Sequence, residues 1–427
     1  MEVVLVVTLK QAALLNLVKG LIPMQKFENP FRPGAGHTPP YLAGRDAERA
    51  EFSKLLRQST VMENLVLTGL RGVGKTVLLE EFRPIATGEG WLWAGNDLSE
   101  SASVSESSLA QRFLVDLSVV TSGIVIEIDP GRQVGFAPAS ERVTSRMDYE
   151  MLAHVYDSTP GLVMDKLKAV LEFAAFHLGR EGSDRLVFAY DEAQNLADND
   201  SNEQYPLSLL LDTFQSLQRK GIRFMLVLTG LPTLFPKLVE ARTYAERMFR
   251  VVQLDRLTES ESRDAVELPI QKEECPVTFR PETVARIVSE SGGYPYFIQF
   301  YGKEIFDVWK KQNDADEAMN ASFDGIQRKL DIDFFSGRWA RLTDRQREMI
   351  WTIAQLEHPE AEFEIPDVVD RSKSVLDKPF SASHTNQMLA SLAEKGFVYK
   401  TRTGKYTFAV PLLKEFVLRN YQTSSER

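Results

Sequence analysis

The 427-residue sequence predicts an α/β protein: a parallel-sheet core, then a purely helical segment, then three helices followed by a β-hairpin. Three observations carry that expectation. Continuous apolar runs (Leu65-Val66-Leu67, Leu186-Val187-Phe188, Phe224-Met225-Leu226-Val227-Leu228) alternate with helical patterns, as strands buried on both faces do. From Leu257 only three-to-four apolar spacing remains. From Leu342 three helical stretches precede two short strands around Arg402-Thr403-Gly404.

In chain order, residues 1–38 read as a leader and an extended segment rich in Pro and Gly. Glu2 stands where a signal peptide needs a basic start, and a membrane span here would have to carry Lys10, Gln11, Asn16 and Lys19. Residues 1–23 are therefore expected as an added amphipathic helix, or as residues upstream of a start at Met24, and no membrane contact is expected. The core spans 39–256. It opens with a helix through Leu56, then the strand Asn64–Thr68 and a helix from Thr76. An aromatic strand, Trp91-Leu92-Trp93, ends near Asn96, and a helix runs from Ser107 to Val120. Residues 124–145 begin like a strand and continue irregularly, as an insertion does. A helix from Leu162 to Leu178 leads into the strand Arg185–Tyr190; a helix from Leu207 to Lys220 and strands at 224–228 and 251–254 complete the core. Residues 257–335 form a helical lid, opened by the capping box Thr258-Glu259-Ser260-Glu261. Residues 336–427 form a winged-helix domain.

The chemistry lies at two strand ends. Gly69-Leu70-Arg71-Gly72-Val73-Gly74-Lys75-Thr76 is G-x-x-x-x-G-K-T between a strand and a helix, which is where a phosphate-binding loop belongs. The glycines let backbone N–H groups converge on a phosphate, and the helix points its positive end at it. Arg71, Gly72, Val73, Gly74, Lys75, Thr76 and Val77 are expected to bind ATP, with Lys75 on the β- and γ-phosphates and Thr76 on Mg²⁺. The strand Arg185–Tyr190 ends in Asp191-Glu192. Asp191 is expected in the Mg²⁺ shell, and Glu192 as the base that orients or deprotonates the attacking water. Gln194 and Asn195 are expected to cap the following turn. Asn96 is a candidate polar restraint on Glu192.

Composition narrows the classes. A hydrophobic content of 43% with 26% charged residues suits a folded domain protein. The single cysteine, Cys275, excludes an intramolecular disulfide and fits a reducing, cytoplasmic setting. Five scattered histidines offer no zinc spacing. Net charge is −10, yet from Gly337 onward 14 Lys and Arg face 12 Asp and Glu, leaving −12 on the rest. The acidic body excludes a protein coated in nucleic acid; the tail permits local contact with it.

From Tyr41 to Tyr421 the chain resembles the AAA+ ATPases of the origin-recognition and STAND-like branch. The resemblance implies that Gly44, Arg45 and Glu48, as G-R-x-x-E, approach adenine, with Tyr41 and Leu42 beside it. It implies that Thr229 is the polar sensor after the Asp-Glu strand, that Arg247 is an arginine finger with Arg242 and Arg250 as rivals, and that Pro295 in Gly293-Tyr294-Pro295 approaches the nucleotide. The lid arginine typical of the origin-recognition branch is missing at this place. The expected function is an ATP-binding and ATP-hydrolysing switch, homo-oligomeric when ATP-bound, whose winged helix engages double-stranded DNA. On that tail, His384, Asn386, Gln387, Ser391 and Lys395 are candidate base contacts, and Lys400, Arg402 and Lys405 are candidate phosphate contacts. Two alternatives stay open: a signalling ATPase scaffold whose winged helix binds a protein partner, and a nucleotide-gated module with little turnover.

Overall fold

A computed structural model describes residues 28–34, 36–128, 143–275, 277–312, 322–357 and 361–421. The expectations for residues 1–23, and the middle of the insertion, fall outside the described residues. The chain forms two compact units, one from Arg45 to Asp255, the other from the residues before Arg45 together with those from Arg256 onward.

The first unit is a five-stranded parallel sheet with order β2-β5-β6-β1-β7: β1 Asn64–Gly69, β2 Leu92–Ala94, β5 Arg185–Tyr190, β6 Arg223–Gly230 and β7 Phe249–Leu254. Every residue of β1 is buried, and the three central strands account for the continuous apolar runs. Helices α1 Asp46–Leu56, α2 Lys75–Gly88, α3 Glu106–Thr121, α4 Tyr149–Ser158, α5 Val163–Arg180, α6 Pro206–Arg219, α7 Leu234–Ala241 and the short α8 Ala245–Met248 cover it. Phe113, Phe188 and Phe214 interlock at 5.2 to 5.7 Å in its core. The segment expected to be irregular starts as β3 Val125–Ile128 and ends as β4 Val143–Arg146, paired antiparallel, and α4 follows it. The segment Val143–Arg146 is short and polar in three of its four residues, so no strand pattern shows without its partner strand. Helix α7 also went unread, because its eight residues carry Pro236 near the start.

The second unit holds α9 Glu259–Lys272, α10 Pro281–Ser291, α11 Pro295–Gln312 and α12 Phe323–Leu330, then α13 Asp344–Ala354, β8 Phe363–Glu364, α14 Ile365–Val375, α15 Ala382–Glu394, β9 Val398–Arg402, β10 Lys405–Phe408 and α16 Leu413–Asn420. Thr258 and Glu261 form the expected reciprocal cap of α9. Strands β9 and β10 make the hairpin, and β8 adds a third strand beside β10. One apolar cluster runs from Val266 and Phe297 of the helical segment to Leu389 and Phe416 of the tail. Asp331, in a π-helical turn after α12, accepts hydrogen bonds from Gln327 Nε2 at 3.0 Å, Arg419 Nη2 at 2.8 Å and Asn420 Nδ2 at 2.8 Å.

Candidate functional site

Strand β1 delivers the chain to Gly69, where a Cβ would lie 2.7 Å from the Leu254 carbonyl oxygen. The turn then uses left-handed backbone at Gly72 (φ 81°) and Gly74 (φ 92°), which only glycine adopts without strain. Val73 is buried and anchors the loop, while Arg71 is exposed above it. Helix α2 begins at Lys75 with no side chain capping its N-terminus, so its first N–H groups are free for an anion. Lys75 Nζ folds back to donate to the carbonyls of Gly69 and Leu70, each at 2.9 Å. Burial pushes its pKa below the ordinary lysine value, opposed by the Asp191 and Glu192 carboxylates and aided by Arg71.

The parallel register sets Tyr190 of β5 level with Leu228 of β6, and so brings Asp191 beside Thr229. The buried Asp191 carboxylate accepts three hydrogen bonds: from the Thr76 hydroxyl, from the Thr229 hydroxyl and from the Glu192 N–H at 2.7 Å. The hydroxyl of Thr229 is thus directed at Asp191. Glu192 follows in left-handed backbone (φ 52°, ψ 32°), a strained conformation for a residue with a Cβ, and its side chain is exposed.

Around Glu192 two expectations are corrected. Asn96 turns its carbonyl oxygen to the Asp97 N–H at 2.9 Å and does not restrain Glu192. Gln194 and Asn195 brace the strand end instead of only capping a turn. The Gln194 amide donates to the Glu192 carboxylate, and its oxygen accepts the Leu231 N–H at 3.1 Å. Asn195 Nδ2 donates to the Leu98 carbonyl at 2.9 Å. Sequence reasoning missed Asp97, which meets Asp191 across a β-bridge; burial, with Asp191, Glu192 and Glu80 nearby, raises its pKa. Only the pairing of β2 with β5 reveals it.

Arg45 is almost fully buried. Its Nη2 donates to the Val73 carbonyl at 3.0 Å and to the Asp255 carbonyl at 2.9 Å, and its Nη1 lies 3.4 Å from Glu48. It ties the phosphate-binding turn to the end of β7, a role the motif did not announce. Tyr41, Leu42 and Gly44 belong to the second unit, where Lys272 sits over the Tyr41 ring at 5.2 Å. Pro295 is the first residue of α11 there, after Gly293 (φ 78°), whose carbonyl accepts the Leu257 N–H at 2.8 Å.

The three candidate finger arginines differ sharply. Arg242 makes a bidentate pair with Asp212, at 3.0 and 2.8 Å, and Tyr244 adds an O–H donor to the same carboxylate at 2.6 Å. Burial works against the Asp212 charge, but the Arg242 and Tyr244 hydrogen bonds outweigh it and lower its pKa. Arg250 lies between Glu51 at 3.2 Å and Glu63 at 3.3 Å. Arg247, on the short helix α8, is exposed; its N–H donates to the Tyr244 carbonyl at 3.0 Å, and its side chain forms no hydrogen bond or ion pair among the described residues.

The tail's candidate contacts divide similarly. His384, Asn386 and Gln387 lie exposed on α15. Ser391 accepts from Gln346 Nε2 at 3.1 Å, and Lys395 Nζ donates to the Arg341 carbonyl at 3.1 Å and to Gln346 Oε1 at 2.8 Å. Both therefore face α13, with Ser391 half-buried and Lys395 still exposed. Arg402 is paired with Glu362 at 2.8 Å and Lys405 with Glu364, whereas the exposed Lys400 has no such carboxylate partner among the described residues. No helix among the described residues is long and apolar enough to cross a membrane.

A parallel sheet whose β1, β5 and β6 ends gather a glycine-rich loop, a lysine, an Asp-Glu pair and a buried threonine defines a P-loop ATPase. Residues 41–234 match the AAA ATPase domain family, and residues 333–417 match a domain of unknown function. The ORC2 protein of Aeropyrum pernix, solved in ADPNP-ADP complexes, shares the fold with TM-score 0.54 at 15% identity, over 91% of this chain and 96% of that one. A Walker-type ATPase of Pyrococcus abyssi gives 0.53 at 15% identity, over 88% and 96%. No curated protein matches the chain. Residues 41–234 thus carry an AAA ATPase domain, and the chain shares the fold of these two proteins.

Proposed function

We propose that the chain is a nucleotide-driven switch that binds Mg²⁺-ATP at the Gly69–Thr76 loop and hydrolyses it with Glu192 as general base. The observation that carries this reading is the convergence of Lys75, Thr76, Asp191, Glu192 and Thr229 at the carboxyl ends of three neighbouring strands. The Thr76 hydroxyl and the Asp191 carboxylate, already in contact, fit a divalent ion that arrives with the nucleotide. When bound, that ion neutralises charge developing on the phosphates. Lys75, released from the Gly69 and Leu70 carbonyls, holds the β- and γ-phosphates. Glu192 accepts the water's proton as the new oxygen–phosphorus bond forms and the bond to the β–γ bridging oxygen breaks. Arg247, unpaired on its short helix, suits a finger offered to a neighbouring subunit of a homo-oligomer.

Phosphate release and ATP binding measured on two variants test this. Lys75→Ala is expected to lose most triphosphate affinity, and Glu192→Gln to keep binding while turnover falls roughly 10² to 10⁴-fold. Equal turnover in Glu192→Gln and the unaltered protein sinks the assignment.

For the tail, the three-helix-and-hairpin arrangement supports contact with duplex DNA through α15 and Lys400. A second reading is favoured by the ion pairs Arg402–Glu362 and Lys405–Glu364, which leave the wing with little free positive charge. On that reading the tail binds a protein partner, and hydrolysis controls a signalling assembly. Titration with duplex DNA at low salt, with and without ATP, separates the two.

A further inference from the structure

The geometry points to Gln194 as a positioning residue that aims the Glu192 carboxylate and fastens it to the β6–α7 corner. This deepens the proposed catalytic reading and rests on it. Gln194 uses both ends of its amide: the N–H holds Glu192, and the oxygen takes the Leu231 N–H at 3.1 Å, one residue past β6. Its own backbone carbonyl accepts Lys237 Nζ of α7 at 3.0 Å, a lysine whose pKa is lowered by burial. The chain makes room for this arrangement. A Cβ on Gly230 would lie 2.6 Å from Gln194 Oε1, so the small residue beside Thr229 lets the amide pass. Glu192 itself is exposed and sits in strained backbone, so no packing fixes its carboxylate, and the amide donor is the side-chain contact that sets its direction.

Gln194 therefore points the Glu192 carboxylate one way. Removing the donor costs that direction, while ATP binding at the Gly69–Thr76 loop stays.

Steady-state ATPase assays test this in the full-length chain. Gln194→Met, which keeps the side-chain length and loses the donor, is expected to lower kcat by about tenfold or more with KM within about twofold. Gly230→Ala, which leaves Gln194 chemically intact and crowds its oxygen, is expected to reproduce the same split. The inference is overturned if Gln194→Met retains kcat, or if both variants change KM alone. Glu192→Gln, run alongside, separates the two levels. Full activity in that variant removes the catalytic reading itself, whereas an inactive Glu192→Gln beside a normal Gln194→Met removes only the role of Gln194.

Discussion

Lys75 shows how one buried cation serves two states. Without a phosphate it satisfies its protons on the carbonyls of Gly69 and Leu70, and burial lowers its pKa below the ordinary 10.5. Only the protonated form attracts triphosphate. A group whose pKa is depressed in the free chain loses its proton as pH rises through that lowered value, so ATP affinity is expected to decline on the alkaline side before pH 10.5. Binding titrations of the unaltered chain and of Lys75→Arg, whose guanidinium stays charged, check this. A decline of the same midpoint in both removes Lys75 as its cause. Gly74 is the other single position with a clear expectation. Its φ of 92° carries no steric neighbour, so Gly74→Ala costs backbone strain alone, about 1–2 kcal/mol. Urea denaturation measures that loss; a stability change under about 0.3 kcal/mol contradicts the strained-turn account.

At the scale of elements, the decisive contacts join segments distant in sequence. Helix α6 buries Leu210, Phe214 and Leu217, and Phe214 packs against Phe113 and Phe188. Phe214→Ala should destabilise the first unit by roughly 3–5 kcal/mol, since a large ring leaves a cavity that the aromatic trio cannot refill. Asp331 plays the matching polar role in the second unit, holding Arg419 and Asn420 of α16 against the turn after α12. Asp331→Ala is expected to cost about 1.5–3 kcal/mol in the unfolding of that unit, because hydrogen bonds to a buried charge are lost. ATP affinity read in the same samples should be unchanged. A loss of nucleotide binding in step with unfolding would show that the two units do not melt separately.

At the scale of the whole molecule, the finger and the tail carry the predictions. Arg247 is exposed and unpaired among the described residues, whereas Arg242 and Arg250 are engaged by carboxylates. If Arg247 acts across a subunit contact, turnover per chain should rise with protein concentration, and Arg247→Ala should bind ATP and lose roughly 10³-fold or more in kcat. Mixing Arg247→Ala with Lys75→Ala should restore part of that activity, since one mixed contact joins an intact loop to an intact arginine. No rescue at concentrations where mixed oligomers form assigns Arg247 a role within its own chain. For the tail, with Lys400 as its free wing cation, the salt dependence of duplex binding should be shallow, about −0.9 in log affinity per log salt for each phosphate met. Glu362→Gln with Glu364→Gln frees Arg402 and Lys405 and should steepen that slope by up to about two units. If neither form binds duplex at low salt, the protein-binding reading takes the lead.

The loop Gly69–Thr76, the Asp191-Glu192 strand end and the alternation of apolar strands with amphipathic helices were legible in the sequence, because each is a local pattern with a physical period or a fixed spacing. The three-helix-and-hairpin tail was legible for the same reason. What the sequence could not convey was pairing. Asp97 meets Asp191 only because β2 lies beside β5, and Thr229 turns to Asp191 only because β6 lies on the other side of β5 in a set register. The strut from Arg45 to Val73 and Asp255 spans 210 residues, and the pairs that neutralise Arg402 and Lys405 come from the far side of α14 and α15. Spacing along the chain decides which residues can do chemistry. Which of them are free to do it depends on the partners that burial and strand order bring within hydrogen-bond reach, and only the tertiary structure decided that.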